Sequence, residues 1–115
     1  MTFEEYLKKI EGFDLLGDGS TTNAGEPAYV AKILGLVGEA GEVAEKYKKV
    51  IRDKEGIIGK EDKDLIIKEL GDVLWYTAML AKYLGVSFED IAIANINKLS
   101  SRKERGVQRG SGDNR

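Results

Sequence analysis

The stretch GLVGEAGEVAEKYKK, residues 35–49, decides how the chain is read. Val37, Ala40, Ala44 and Tyr47 continue an apolar stripe that begins with Val30, Ile33 and Leu34 and reaches Ile51, the spacing of an amphipathic helix. Yet the stretch holds three glycines, at 35, 38 and 41. Each weakens a helix interior by about 1 kcal/mol relative to alanine. Glu39, Glu42 and Glu45 stand three apart among them. At about 100° per residue, with Val37 set at zero, Glu42 falls at about 140°, Gly35 at about 160° and Gly38 at about 100°. Gly35 and Gly38 therefore lie on the side of Glu42, away from the stripe. They clear space there, either for a bulky ligand or for the close approach of another helix.

Working outward, this helix should begin at Pro27, the only proline and suited to a first turn, and run to about Asp53. Before it, Thr2 and Glu5 form a capping-box pattern, and Phe3, Tyr6, Leu7 and Ile10 define a short first helix ending near Gly12. GDGSTTNAGE, 17–26, is a loop by composition. KEGIIGKED, 54–62, is a connector with two glycines. A third helix is expected from about Lys63 to Leu84, stopped by Gly85. Ser87 with Asp90 opens a fourth, to about Lys103. No strand-like alternation competes, so the expected fold is all-α, a four- to five-helix bundle. The domain is placed at 1–105, with residues 106–115 as a glycine-rich tail.

The third helix carries a second acid pair. In KELGDVLWYTAML, Glu69 and Asp72 project to one side, among Leu65, Tyr76 and Tyr83. Carboxylates on an apolar face must be paired, protonated or bound to metal. Packed antiparallel, the two helices could bring four such side chains together. The other outcome is a salt-bridged surface, with Lys46, Lys48, Lys49 and Lys68 as partners.

Composition narrows the chemistry. The 115 residues suit one domain, with a core small enough that burial by oligomerisation is plausible. There is no cysteine and no histidine. Disulfides, thiolate sites, histidine bases and Glu-x-x-His di-iron elements are excluded. All-oxygen ligation favours Mg²⁺ or Mn²⁺ over zinc. A net charge of −2 offers no obvious footprint for a nucleic-acid polymer. The N-terminal MTFEEYLKKIEGF has no long apolar run. Neither a signal peptide nor a membrane span is expected, and the cytoplasm is the expected location.

GEAGEVAEKYKK followed by KELGDVLWYTAMLAKYLGVSFEDIAIANINKLSSR resembles the MazG-like all-α nucleoside triphosphate pyrophosphohydrolases. The resemblance rests on an E-x-x-E pair, a 26-residue interval, an E-x-x-D pair and a downstream N-x-x-K-x-x-x-R, and spans residues 35–102. It implies hydrolysis of (deoxy)nucleoside triphosphates to a monophosphate and pyrophosphate, in nucleotide-pool control or house-cleaning. It also implies that Glu39, Glu42, Glu69 and Asp72 are Mg²⁺ ligands. With histidine absent, the general base falls to Glu42 or Glu45, or to water activated by the cation. Asn95, Lys98 and Arg102 share a face of the fourth helix. Their natural role is to hold phosphate oxygens, and the resemblance places family residues at Asn95 and Lys98. Tyr76 and Tyr83, on the acid side, are candidates for lining the nucleotide pocket; the alternative is core packing, the role expected of Tyr83. Trp75, on the polar side of the third helix, reads as an exposed anchor for a homodimer or homotetramer. The tail, with Arg109 and Arg115, is a candidate cover for bound phosphates. A different class of function is a non-catalytic nucleotide- or metal-binding helical dimerisation or regulatory module.

Overall fold

A computed structural model describes residues 1–115. It contains four helices and no strand: α1 (Phe3–Lys9), α2 (Pro27–Lys54), α3 (Lys60–Leu84) and α4 (Phe88–Glu104). Local chemistry sets most boundaries. Thr2 and Glu5 cap α1 reciprocally, the Glu5 amide donating to Thr2 Oγ1 at 3.2 Å and the Thr2 amide to Glu5 Oε2 at 2.7 Å. Ser87 and Asp90 do the same for α4, at 2.9 Å each way. Gly85, at φ 70°, closes α3, and the Val86 amide returns to the Ala81 carbonyl.

Two boundaries differ from expectation. α1 stops at Lys9, three residues before Gly12. α3 starts at Lys60 rather than Lys63, because the Asp62 carboxylate reaches back to the Gly59 amide at 2.9 Å and caps the helix from inside. Only residues 55–59 then join α2 to α3.

Those two helices form an antiparallel hairpin, shown by matched pairs along it. Tyr29 meets Tyr83 edge-on with ring centroids 5.1 Å apart, Lys46 pairs with Glu69 at 3.1 Å, and Lys54 pairs with Asp62 at 2.6 Å. The small core lies at the other end of the fold, where α1 packs on α3 and the start of α4. It comprises Ile10, Ala78, Met79 and Phe88, flanked by Tyr6, Leu7, Trp75 and Ile91.

The apolar stripe of α2 does not enter this core. Leu34, Val37 and Ile51 remain 66%, 68% and 68% exposed, and Ile33 and Tyr47 are also exposed. The face of α2 turned toward α3 instead presents Tyr29, Lys32, Leu36, Glu39, Val43, Lys46 and Val50, a seven-residue repeat on the opposite side. Ile67, Leu70 and Leu74 continue the uncovered apolar surface on α3. The chain exposes 8355 Å², whereas a closed monomer of 12.7 kDa exposes about 6,200 Å². Its radius of gyration is 17.0 Å, against about 13 Å for a compact domain of this length. The excess lies in the uncovered apolar side chains of α2 and α3.

Candidate metal centre

Glu39 lies at the middle of the inward face of α2. Across from it, one turn apart on α3, stand Glu69 and Asp72. Carboxylate oxygens from all three lie within 4.8 Å of one another, with Glu39 and Glu69 partly buried and Asp72 exposed at the rim. Burial pushes the Glu39 carboxyl above its usual range, and the charges of Asp72, Glu69 and Glu42 push it further. The Tyr6 hydroxyl, also partly buried, is raised first by burial and then by Asp72. One ammonium answers these acids, Lys46 Nζ at 3.1 Å from Glu69 Oε1. Three converging carboxylates with one counter-charge suit a hard divalent cation, which accepts oxygen ligands and relieves their repulsion. Mg²⁺ or Mn²⁺ fits this donor set better than zinc.

The other expected acids lie differently. Glu42 is exposed, one turn beyond Glu39, and is not among the three converging groups, although Glu39 feels its charge. Glu45 turns away to Lys48 Nζ at 2.8 Å, and that hydrogen bond lowers its pKa. The salt-bridged alternative is thus realised in part, through Lys46 and Lys48.

The glycines divide. A Cβ on Gly35 would fall 2.1 Å from the Tyr76 ring, so that glycine seats an aromatic side chain, not a ligand. Gly38 and Gly41 face open space. Tyr76 meets Trp75 edge-on, centroids 4.9 Å apart. Trp75 is not the exposed anchor expected of it. It is partly buried against the core, with Lys32 Nζ 5.9 Å from its ring centroid. Tyr83 is buried, as its packing role required.

On α4, Asn95 and Lys98 are exposed. Arg102 is buried, its Nη2 donating to the Gly112 carbonyl at 3.2 Å and the Asp113 carbonyl at 3.0 Å, while its Nε has no partner. The tail, which forms only bends and turns, therefore folds back against α4. Arg115 fastens it by donating to the carbonyls of Val107, Gln108 and Gly112.

Sequence reasoning missed a buried clasp at the open end of the α2–α3 hairpin, between the start of α2 and the end of α3. Asp14 accepts from Lys32 Nζ at 2.7 Å, from the amides of Leu16 and Gly17, and from the Tyr83 hydroxyl. The Lys32 and Asp14 side chains are only 4% and 6% exposed. Burial raises the Asp14 carboxyl, but the hydrogen bonds from Lys32, Tyr83 and Leu16 outweigh it and hold the group below its usual value. Burial and Asp14 together push the Tyr83 phenol up to about 12. The available signal was Lys32 itself, seven residues before Glu39 on the same face.

Comparison with known proteins adds the lineage. The chain is 57% identical over 82 residues to Gene 37 protein of Mycobacterium phage L5, covering 71% of this chain and 72% of that one. It is 38% identical over 74 residues to the uncharacterised protein YvdC of Bacillus subtilis (strain 168), covering 60% of this chain and 70% of that one. No solved structure matches. A family model, described as the MazG nucleotide pyrophosphohydrolase domain, matches residues 29–107, which include both acid pairs and nearly all of α2, α3 and α4. The all-α chain belongs to the MazG family.

Proposed function

We propose that the chain hydrolyses nucleoside triphosphates between the α- and β-phosphates, releasing a monophosphate and pyrophosphate, with Mg²⁺ or Mn²⁺ as cofactor. The observation that carries this reading is the convergence of Glu39, Glu69 and Asp72 from two helices, with Glu39 raised by burial and by its neighbours. Family membership implies the reaction class.

Glu39, Glu69 and Asp72 would hold the cation, and Glu42, one turn along, would complete the set or face the attacking water. A bound divalent ion supplies neutralisation of phosphate oxygens and a more acidic water. Between the two candidate bases, Glu42 is favoured, because the hydrogen bond from Lys48 makes the Glu45 carboxylate a weaker proton acceptor. Tyr76, fixed over Gly35 beside the acids, lines the approach to them. Lys98 and Asn95 are the exposed donors for outer phosphate oxygens, with Arg102 ordering the tail beside Lys98.

The working form is a homodimer, built on the outward faces of α2 and α3. About 2,000 Å² of exposed surface beyond that of a closed monomer is an area that an obligate interface of this kind covers. Leu34, Val37 and Ile51 on α2 and Ile67, Leu70 and Leu74 on α3 would form its apolar centre.

Phosphorus NMR of the chain with a nucleoside triphosphate and Mg²⁺ tests the reaction. Monophosphate and pyrophosphate should appear together, and Asp72→Asn should abolish turnover while leaving the helical circular-dichroism spectrum intact. A diphosphate with orthophosphate as first products, or wild-type turnover by Asp72→Asn, overturns the reading.

A further inference from the structure

Two lysines stand seven residues either side of Glu39 on α2, and both turn into the seam with α3. Their commitments differ. Lys32 is satisfied by Asp14 at 2.7 Å, and the pair is almost fully removed from solvent. Lys46 has a single carboxylate within reach, Glu69, at 3.1 Å. The other lysines near the acids do not compete for it: Lys48 pairs with Glu45 at 2.8 Å, and Lys49 and Lys68 are exposed.

We propose that Lys46 is a built-in counter-ion of the acid cluster, which a divalent cation must displace from Glu69 in order to bind. This rests on the reading of Glu39, Glu69 and Asp72 as the cation site. One ammonium among three carboxylates leaves them net negative, so the cluster still attracts a cation. Glu69, however, has to exchange its lysine for the ion. A doubly charged ion wins that exchange where a singly charged one gains little over the ammonium already present.

Lys46 has the means to leave. Its side chain is 25% exposed, on a flexible four-carbon stem. It borders a cavity of about 90 Å³, with Lys49, Val50, Asp62 and Leu65 as the other walls. Asp62 forms one wall of that cavity and gives the displaced ammonium a carboxylate to approach. The Lys46–Glu69 pair thus holds the metal-free acids together and sets the cation concentration at which they load.

The test is a Mn²⁺ titration without nucleotide, followed by calorimetry, on the full chain and on Lys46→Gln, Lys46→Arg and Glu69→Gln. Lys46→Gln should bind Mn²⁺ about 1.5- to fivefold tighter, the range expected for loss of a partly exposed ion pair. Lys46→Arg, which keeps the charge, should stay close to wild type. Metal-free Lys46→Gln should melt lower than wild type, and Mn²⁺ should close that gap. In the unmodified chain, the Lys46 side-chain NMR signals should shift when Mg²⁺ is added. Unchanged or weaker Mn²⁺ binding by Lys46→Gln, or static Lys46 signals through a Mg²⁺ titration, overturns the counter-ion role while leaving the cation site standing. Undiminished Mn²⁺ affinity in Glu69→Gln instead overturns the site on which the role depends.

Discussion

The two faces of α2 exchange the roles that a monomeric helix would assign them. The face turned toward α3 carries Lys32, Glu39 and Lys46, and across the seam Glu69 answers Lys46 while Asp62 answers Lys54 at the end of the helix. The face turned away carries Leu34, Val37 and Ile51, which remain open to solvent. An isolated chain gains little from exposing aliphatic side chains while enclosing ionic ones. The arrangement becomes reasonable when the hairpin is half of a larger bundle: the outward stripe then supplies cohesion, and the inward seam is free to hold charge. In the proposed dimer, stability and chemistry would be segregated by helix face, not by domain.

The largest effect that would break this contrast lies on the outward face. Leu34→Glu with Val37→Glu should convert the assembly to monomers at micromolar concentration by sedimentation. Each such side chain contributes about 1.5–3 kcal/mol when buried, and twofold symmetry counts each twice. A wild-type monomer at that concentration would remove the contrast altogether.

The next effect is at the inward clasp. Asp14→Ala leaves the Lys32 charge buried without a partner and should lower unfolding free energy by about 3–5 kcal/mol in urea. The same clasp gives a pH signature. The folded Tyr83 phenol titrates at about 12, above its ordinary 10.0. Stability from this group is therefore complete below pH 10.0 and is lost as pH rises toward 12. Absorbance titration at 295 nm, with Tyr83→Phe subtracted, should isolate the late titration of this phenol. At the acid end, the depressed Asp14 contributes stability above its unfolded value, lost as pH falls through its lower folded one.

Smaller effects come from the glycines, which sample both environments on one helix. Gly35→Ala drives a methyl into the Tyr76 ring and should destabilise by about 1–3 kcal/mol. Gly38→Ala meets open space within the protomer and should stabilise the helix by about 1 kcal/mol. Thermal melts of both variants, at a concentration where the chain is fully associated, make the comparison. A Gly38→Ala variant that melts lower and associates more weakly would place Gly38 against a second copy rather than in solvent.

What was legible in the sequence follows from how local each signal is. Thr2, Ser87 and Gly85 act on neighbours within one turn, so the helix ends they govern could be read directly. The start of α3 could not, because its cap comes from Asp62 inside the helix and Gly59 gave no N-cap signal. Both acid pairs were visible as i,i+3 spacings. That Glu39 rather than Glu42 meets Glu69 and Asp72 depends on the register between two helices, which no single-helix projection contains. The stripe from Val30 to Ile51 was found correctly as a stripe, but periodicity does not say what covers it. Trp75 was assigned to a polar side for the same reason: it packs against the core cluster and beneath Lys32, which lies 43 residues away on α2. Asp14 was passed over because its partners lie 18 and 69 residues away.

That last separation bears on the order of folding. The α2–α3 hairpin is closed by a five-residue connection and can zip from its turn, Lys54 with Asp62 first and Lys46 with Glu69 next. The bond from Tyr83 to Asp14 instead links points 69 residues apart and closes only after both helices are in place. Asp14 then acts as a latch on a structure already built, and the Leu16 and Gly17 amides bonded to it report whether the latch is shut. Their hydrogen exchange should follow release of the clasp, so two residues far from the acid cluster would record the integrity of the hairpin that carries it.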